Sequence, residues 1–130
     1  MGYKLLMAGL MVVAVLALAF WPQEADSTAT YHPSTPELVI LAFPDAPIMH
    51  RVAWAESKFD PKAKNPSSTA SGVFQILSGT WAHYKCVGDV FEASDNIACA
   101  RRIYDREGTR PWNASKHVWD STAPLSVYPQ

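Results

Sequence analysis

Charge is scarce in this chain: 18% of its 130 residues are charged, and the formal net charge is −1. No basic stretch is present to track a phosphate backbone, so nucleic acid is not an expected partner. Cysteine is scarcer still. Cys86 and Cys99 are the only two, without C-x-x-C or Cys/His spacing, and His32, His50, His83 and His117 are scattered. No metal site is legible and no cofactor is expected. Internal repeats are absent and strand signals after residue 44 are weak, which leaves a mainly α architecture. The length suffices for one small domain and not for two. A nearly neutral surface still suits a carbohydrate, which is held more by stacking and hydrogen bonds than by charge.

What the sequence does have begins with an almost unbroken apolar run, Leu5 to Trp21, behind a single Lys4. Its length lies between a long signal-peptide core and a short membrane span. Ala17-Leu18-Ala19 offers a small-x-small cleavage pattern, and Ala25 to Ala29 offers looser ones. Residues 1–21 are therefore expected to be a signal peptide or an uncleaved membrane anchor, and the remainder to be exported. An oxidising compartment favours a Cys86–Cys99 disulfide over two buried thiols. Residues 22–37, rich in Pro, Ser, Thr and acidic side chains, read as a flexible linker, and 38–130 as the folded domain. Leu38 to Phe43 is a short apolar segment, either a strand or an extended arm packed on that domain.

A first helix is expected near Asp45, which would cap it, with Pro47 in its first turn. Ile48, Val52, Ala55 and Phe59 mark a buried face, with Glu56 at its edge, and Asp60-Pro61 stops the helix. A carboxyl group among apolar neighbours at a helix C-terminus has its ionisation disfavoured by desolvation and by the negative helix end. Residues 62–72 form a loop. A second helix follows near Thr80-Trp81 with Ser78 as its cap. A third, capped by Asp95, runs from Asn96 to Glu107 and closes at Gly108. Pro111-Trp112 opens a last helical turn reaching Trp119. Cys86 and Cys99 would tie the second helix to the third.

Four motifs occur in order: E-S-x-F-D-P-x-A at Glu56–Ala63, S-x-A-S-G-V-F-Q-I at Ser68–Ile76, T-W at Thr80-Trp81 and N-I at Asn96-Ile97. Together they resemble the lysozyme-like lytic transglycosylases, in particular the soluble-lytic-transglycosylase domain group. The tail G-x-x-P-W-x-x-S, Gly108 to Ser115, is similar to the ending of small cell-wall-cleaving relatives of the resuscitation-promoting-factor type. The resemblance covers about residues 45–115. It implies a small lysozyme-like helical domain with a cleft, acting on peptidoglycan glycan strands at the β-1,4 bond between N-acetylmuramic acid and N-acetylglucosamine. In that family one motif glutamate protonates the leaving oxygen, then acts as base while the 6-hydroxyl of muramic acid closes a 1,6-anhydro ring. Glu56 matches it.

The resemblance also implies substrate contacts for Ser57 and Gln75. Gln75 takes the place of the glutamine in a G-L-M-Q motif, here Gly72-Val73-Phe74-Gln75, and Gly72 serves backbone geometry. The family's A-Y-N tyrosine has no counterpart motif, and Tyr104 is the candidate to replace it or to pack in the core. Trp112 is a candidate sugar platform, whereas Trp81 reads more readily as scaffold. A two-carboxylate hydrolase would need a second acid, and Asp60, the nearest in sequence, suits a turn better. The Asn113-Ala114-Ser115 sequon carries no weight in a bacterial or phage setting. A lysozyme-type hydrolase and a non-catalytic peptidoglycan-binding or secretion-assembly module stand as alternatives. The expected location is periplasmic, secreted or membrane-anchored facing the wall, where a wall-spanning assembly is a further partner class.

Overall fold

A computed structural model describes residues 30–128 of the protein, so the apolar run at 5–21 lies outside the described residues. Helix α1, Thr35–Ala42, begins where Glu37 reaches back to accept hydrogen bonds from the Ser34 backbone N–H (2.7 Å) and hydroxyl (2.6 Å), with Pro36 in the first turn. The apolar stretch is thus helical from Leu38 to Ala42, with Phe43 as the C-cap, rather than a strand or an extended arm, and the helix starts within the segment that reads as linker. Val39 is its buried residue and the C-cap Phe43, four further on, is buried beside it, while Ile40 and Leu41 remain exposed.

Helix α2, Ile48–Ser57, starts at Pro47, and Asp45 does not cap it. Asp45 instead accepts two hydrogen bonds from Arg101, at 2.5 and 3.0 Å. The buried residues of α2 are Met49, His50, Val52 and Ala53. Glu56 lies seven, four and three residues after Met49, Val52 and Ala53, so it continues the buried stripe rather than standing at its edge. The helix stops before Asp60-Pro61, because Lys58 and Phe59 both adopt left-handed conformations (φ 56° and 64°). Each such non-glycine residue costs about 1–2 kcal/mol. Burial of Phe59 against His50 and Trp54, with ring centroids 4.7 and 5.8 Å away, offsets that cost.

Helix α3, Ser78–His83, is entered from Leu77, and the Ser78 N–H is taken by the Thr69 hydroxyl at 3.1 Å. Helix α4, Ala93–Glu107, starts two residues before its expected cap. Asp95 lies in its first turn and accepts the Asp89 N–H at 2.9 Å. Asn96, Ile97, Cys99, Ala100 and Ile103 form its buried face. A 3-10 turn at Arg110–Ser115, helix α5 at Lys116–Trp119 and a 3-10 turn at Leu125–Val127 complete the described residues. Cys86 and Cys99 form a disulfide that ties the segment after α3 to α4. Among the described residues there is no strand, only isolated bridges pairing Ser71 with Lys64 and with Ile76.

The loop between α2 and α3 is held by the fully buried Asn96. Its Oδ1 accepts the Phe74 N–H at 2.9 Å, and its Nδ2 donates to the carbonyls of Ser71 (3.1 Å) and Val90 (2.9 Å). Gly72 lies directly over this amide at φ 78°, where a Cβ would come within 2.2 Å of the Asn96 nitrogen and 2.3 Å of the Val90 carbonyl. Asn96→Leu keeps the branched shape of the side chain and strands the Phe74 N–H and the Val90 carbonyl, while the Ser71 carbonyl keeps the Ile76 N–H at 3.0 Å. We expect it to destabilise the domain by roughly 3 kcal/mol in urea unfolding. A loss under about 1 kcal/mol would mean that the loop is held by something else.

Candidate active site

A cleft of about 290 Å³ opens beside the C-terminal end of α2, lined by Glu56, the loop residues Asn65, Ala70, Gln75 and Ile76, and Thr80 and Ile103 from α3 and α4. Pro111, Trp112 and Ala114 of the tail close the remaining side. Glu56 is the single ionisable side chain among the lining residues. Its Oε1 accepts a hydrogen bond from the Ser115 hydroxyl at 2.5 Å, and no other donor reaches the carboxylate among the described residues. Burial pushes the Glu56 carboxyl above the ordinary value of 4.5, and the Ser115 hydroxyl opposes this by favouring the charged form.

Ser115 is fixed in turn. Trp119 Nε1–H donates to Ser115 Oγ and to the Trp112 carbonyl, both at 3.1 Å, and the Ser115 hydroxyl also lies 3.1 Å from that carbonyl. Trp112 is buried, with its indole N–H on the Phe74 carbonyl at 3.0 Å and its ring 5.7 Å from that of Phe74. The tail is thereby keyed to the same loop that Asn96 grips.

Of the residues singled out from the sequence, Glu56, Gln75 and Trp112 come together in the cleft. Gln75, in a left-handed conformation (φ 49°), donates from Nε2 to the carbonyls of Gly72 (2.9 Å) and Ala63 (3.1 Å). Its amide nitrogen is committed to the loop and its Oε1 is left as an acceptor. Ser57 and Tyr104 do not line the cleft. The Ser57 hydroxyl donates to the Val73 carbonyl at 2.7 Å, bracing the loop against the end of α2. Tyr104 packs edge-on against Phe43 at 5.8 Å, under the Arg101 guanidinium. Trp81 borders a neighbouring depression with Thr69, Ser78 and Asp89. Asp60 is exposed and accepts the Lys62 N–H at 2.8 Å, as a turn residue does. Among the described residues no group of His, Cys, Asp and Glu could hold a metal ion.

Sequence reasoning missed Asn65 and Thr80 as cleft residues and Ser115 as the partner of Glu56. For Ser115 a signal exists, since it closes the tail motif three residues after Trp112.

Residues 45–107 match the family model described as Transglycosylase SLT domain, and the resemblance read from the motifs is to that domain family. The chain is also similar to Probable transglycosylase SceD 2 of Staphylococcus saprophyticus, with 38% identity over 71 residues, covering 49% of this chain and 28% of that protein. The chain thus spans little more than a quarter of that relative's length. No solved structure matches the chain.

The sign of the Glu56 shift predicts a stability effect. A carboxyl group whose folded-state value lies above its unfolded value of 4.5 opposes folding once ionised. That penalty is absent below the unfolded value and complete above the folded one. Glu56→Gln is therefore expected to raise Tm at pH 7, with the gain disappearing below pH 4.5. A variant less stable than wild type at pH 7 would contradict the assigned burial cost.

Proposed function

We propose that this domain cleaves the β-1,4 bond between N-acetylmuramic acid and N-acetylglucosamine in peptidoglycan, with Glu56 as the lone acid and base, leaving 1,6-anhydromuramic ends. The observation that carries the proposal is the cleft itself, whose lining holds one ionisable side chain, half-buried and biased toward its neutral form. A carboxyl group whose neutral form is favoured by burial is what the first step needs. Glu56 gives its proton to the glycosidic oxygen as the bond from C1 breaks. The resulting carboxylate then takes the proton of the 6-hydroxyl, whose oxygen bonds to C1. Glu56 ends protonated, and no water is consumed.

A hydrolase working with two carboxylates would need the second about 5–9 Å from the first. Asp60 is engaged in its own turn outside the cleft. Gln75 Oε1 is suited to accept the N–H of an acetamido group, and the Trp112 edge and Ile103 provide apolar wall for the sugar faces. We assign Ser57 and Tyr104 to the scaffold, behind the loop and α1 respectively. A lysozyme-like helical fold, export through the apolar run at 5–21 and action at the cell wall complete the proposal, supported by the SLT domain match and by the name of the similar protein. Among the described residues no helix is long and apolar enough to cross a membrane.

Mass spectrometry of sacculi digested by the protein is expected to find anhydromuropeptides. Reducing ends would favour a lysozyme-type hydrolase, and sacculus binding without any product would favour the non-catalytic module. Glu56→Gln should lower turnover about 10³-fold, in the range general acid–base groups supply. A loss below about tenfold would remove Glu56 from the role.

A further inference from the structure

The Ser115 hydroxyl has one proton and two acceptors within reach, Glu56 Oε1 at 2.5 Å and the Trp112 carbonyl at 3.1 Å. Trp119 Nε1–H occupies one of the two acceptor positions of the hydroxyl oxygen, at 3.1 Å. That N–H also holds the Trp112 carbonyl, at 3.1 Å, so Trp119 keeps its place whichever way the hydroxyl turns. One proton shared between two acceptors goes mainly to the stronger one, and the charge on Glu56 decides which that is. An ionised carboxylate attracts the hydroxyl more strongly than a peptide carbonyl does, while a protonated one competes poorly.

We propose that Ser115 is a positioning residue that clamps the Glu56 carboxylate and turns its single proton from the Trp112 carbonyl to Glu56 as Glu56 passes from acid to base. The assignment rests on the acid–base reading of Glu56. Ser115 keeps its proton throughout. The proton that moves in the reaction leaves Glu56 for the glycosidic oxygen and is replaced by the one from the 6-hydroxyl. While Glu56 is neutral the hydroxyl rests on Trp112, leaving the acid free to donate. Once the carboxylate forms, the hydroxyl turns to it and holds Oε1, leaving Oε2 for the 6-hydroxyl. A lone carboxyl group that must serve both roles gains stabilisation in its charged form only when that form exists.

Other charges do not perform this task. Burial and the Ser115 hydrogen bond are the two influences that move Glu56. On α2, Arg51 donates to the Ser121 carbonyl and Lys58 lies over the Trp54 ring. In the loop, Asp60 caps the Lys62 N–H and the Lys62 ammonium donates to the Phe91 carbonyl. On α3, His83 stacks on Tyr84, and on α4 Glu107 accepts from Tyr84 and Arg110. In the tail, Lys116 pairs with Asp120.

The test is carboxyl and carbonyl carbon NMR on the intact, labelled protein without substrate, beside kinetics on soluble glycan strands. In wild type the Trp112 carbonyl carbon should titrate with the same midpoint as Glu56. In Ser115→Ala the Glu56 midpoint should rise and the Trp112 response vanish. Turnover should fall about tenfold with KM little changed, the loss of one hydrogen bond to a charged group. Ser115→Thr, which restores the hydroxyl, should recover both readouts. Trp119→Phe should raise the Glu56 midpoint by less than Ser115→Ala does. An unchanged Glu56 midpoint in folded Ser115→Ala overturns the proposal. Should that variant fail to fold, a Trp112 carbonyl that does not respond to Glu56 in wild type overturns it instead. If the midpoints move as expected but wild type cleaves nothing, the Ser115 clamp stands and the acid–base reading of Glu56 falls.

Discussion

The Asn96 side-chain amide is the contact on which the rest of the site depends. The stretch Ser67–Gly72 of the loop, made of serine, threonine, alanine and glycine, has little apolar surface to fix its shape by burial, whereas Val73, Phe74 and Ile76 after it are buried. Two hydrogen bonds at Ser71 and Phe74 tie the loop to one fully buried amide of α4, beside its own backbone bonds, and a third joins the same amide to Val90 in the segment between α3 and α4. A buried amide left short of partners would cost more than it contributes, so the loop and the helix are specified together. Gly72 belongs to the same arrangement, because the loop passes too close to the amide for any side chain.

With the loop fixed, the remaining parts of the cleft follow by direct contact. Phe74 presents its carbonyl to the Trp112 indole, which anchors the tail. The tail then carries Ser115 to Glu56, across 59 residues of sequence. Ser57 ties the end of α2 to the Val73 carbonyl, setting the height of Glu56 against the loop. The chemistry attributed to Glu56 therefore rests on a chain of contacts from Asn96 through Phe74 and Trp112 to Ser115. The exposed ion pairs, such as Lys116–Asp120, add little to stability by comparison.

Much of this was legible from the residues, for reasons that can be stated. Glu56, Gly72 and Gln75 sit in ordered motifs whose spacing is dictated by the turn after α2, and Trp112 and Ser115 share one tail motif. The nature of α1 was not legible. Its start signals, Ser34, Pro36 and Glu37, have the composition of a linker, and an apolar run through Leu41 shows no period by which a helix is distinguished from a strand. Tyr104 illustrates a different limit. It follows Ile103 on α4, and neighbours on a helix point about 100° apart. Ile103 faces the cleft and Tyr104 faces Phe43 at the end of α1. Ser115 ends the tail motif, but nothing local in sequence says that its hydroxyl meets a carboxylate.

The central claim is that one carboxyl group serves as acid and then as base, and the pH dependence of kcat/KM tests it most directly. A lone Glu56 must start protonated and makes its own base by donating. The profile should therefore fall on the alkaline side of the Glu56 midpoint and stay level below it, for as long as the domain remains folded. A bell with a second carboxylate limb on the acid side would contradict the account, because it would require another ionised acid in the cleft.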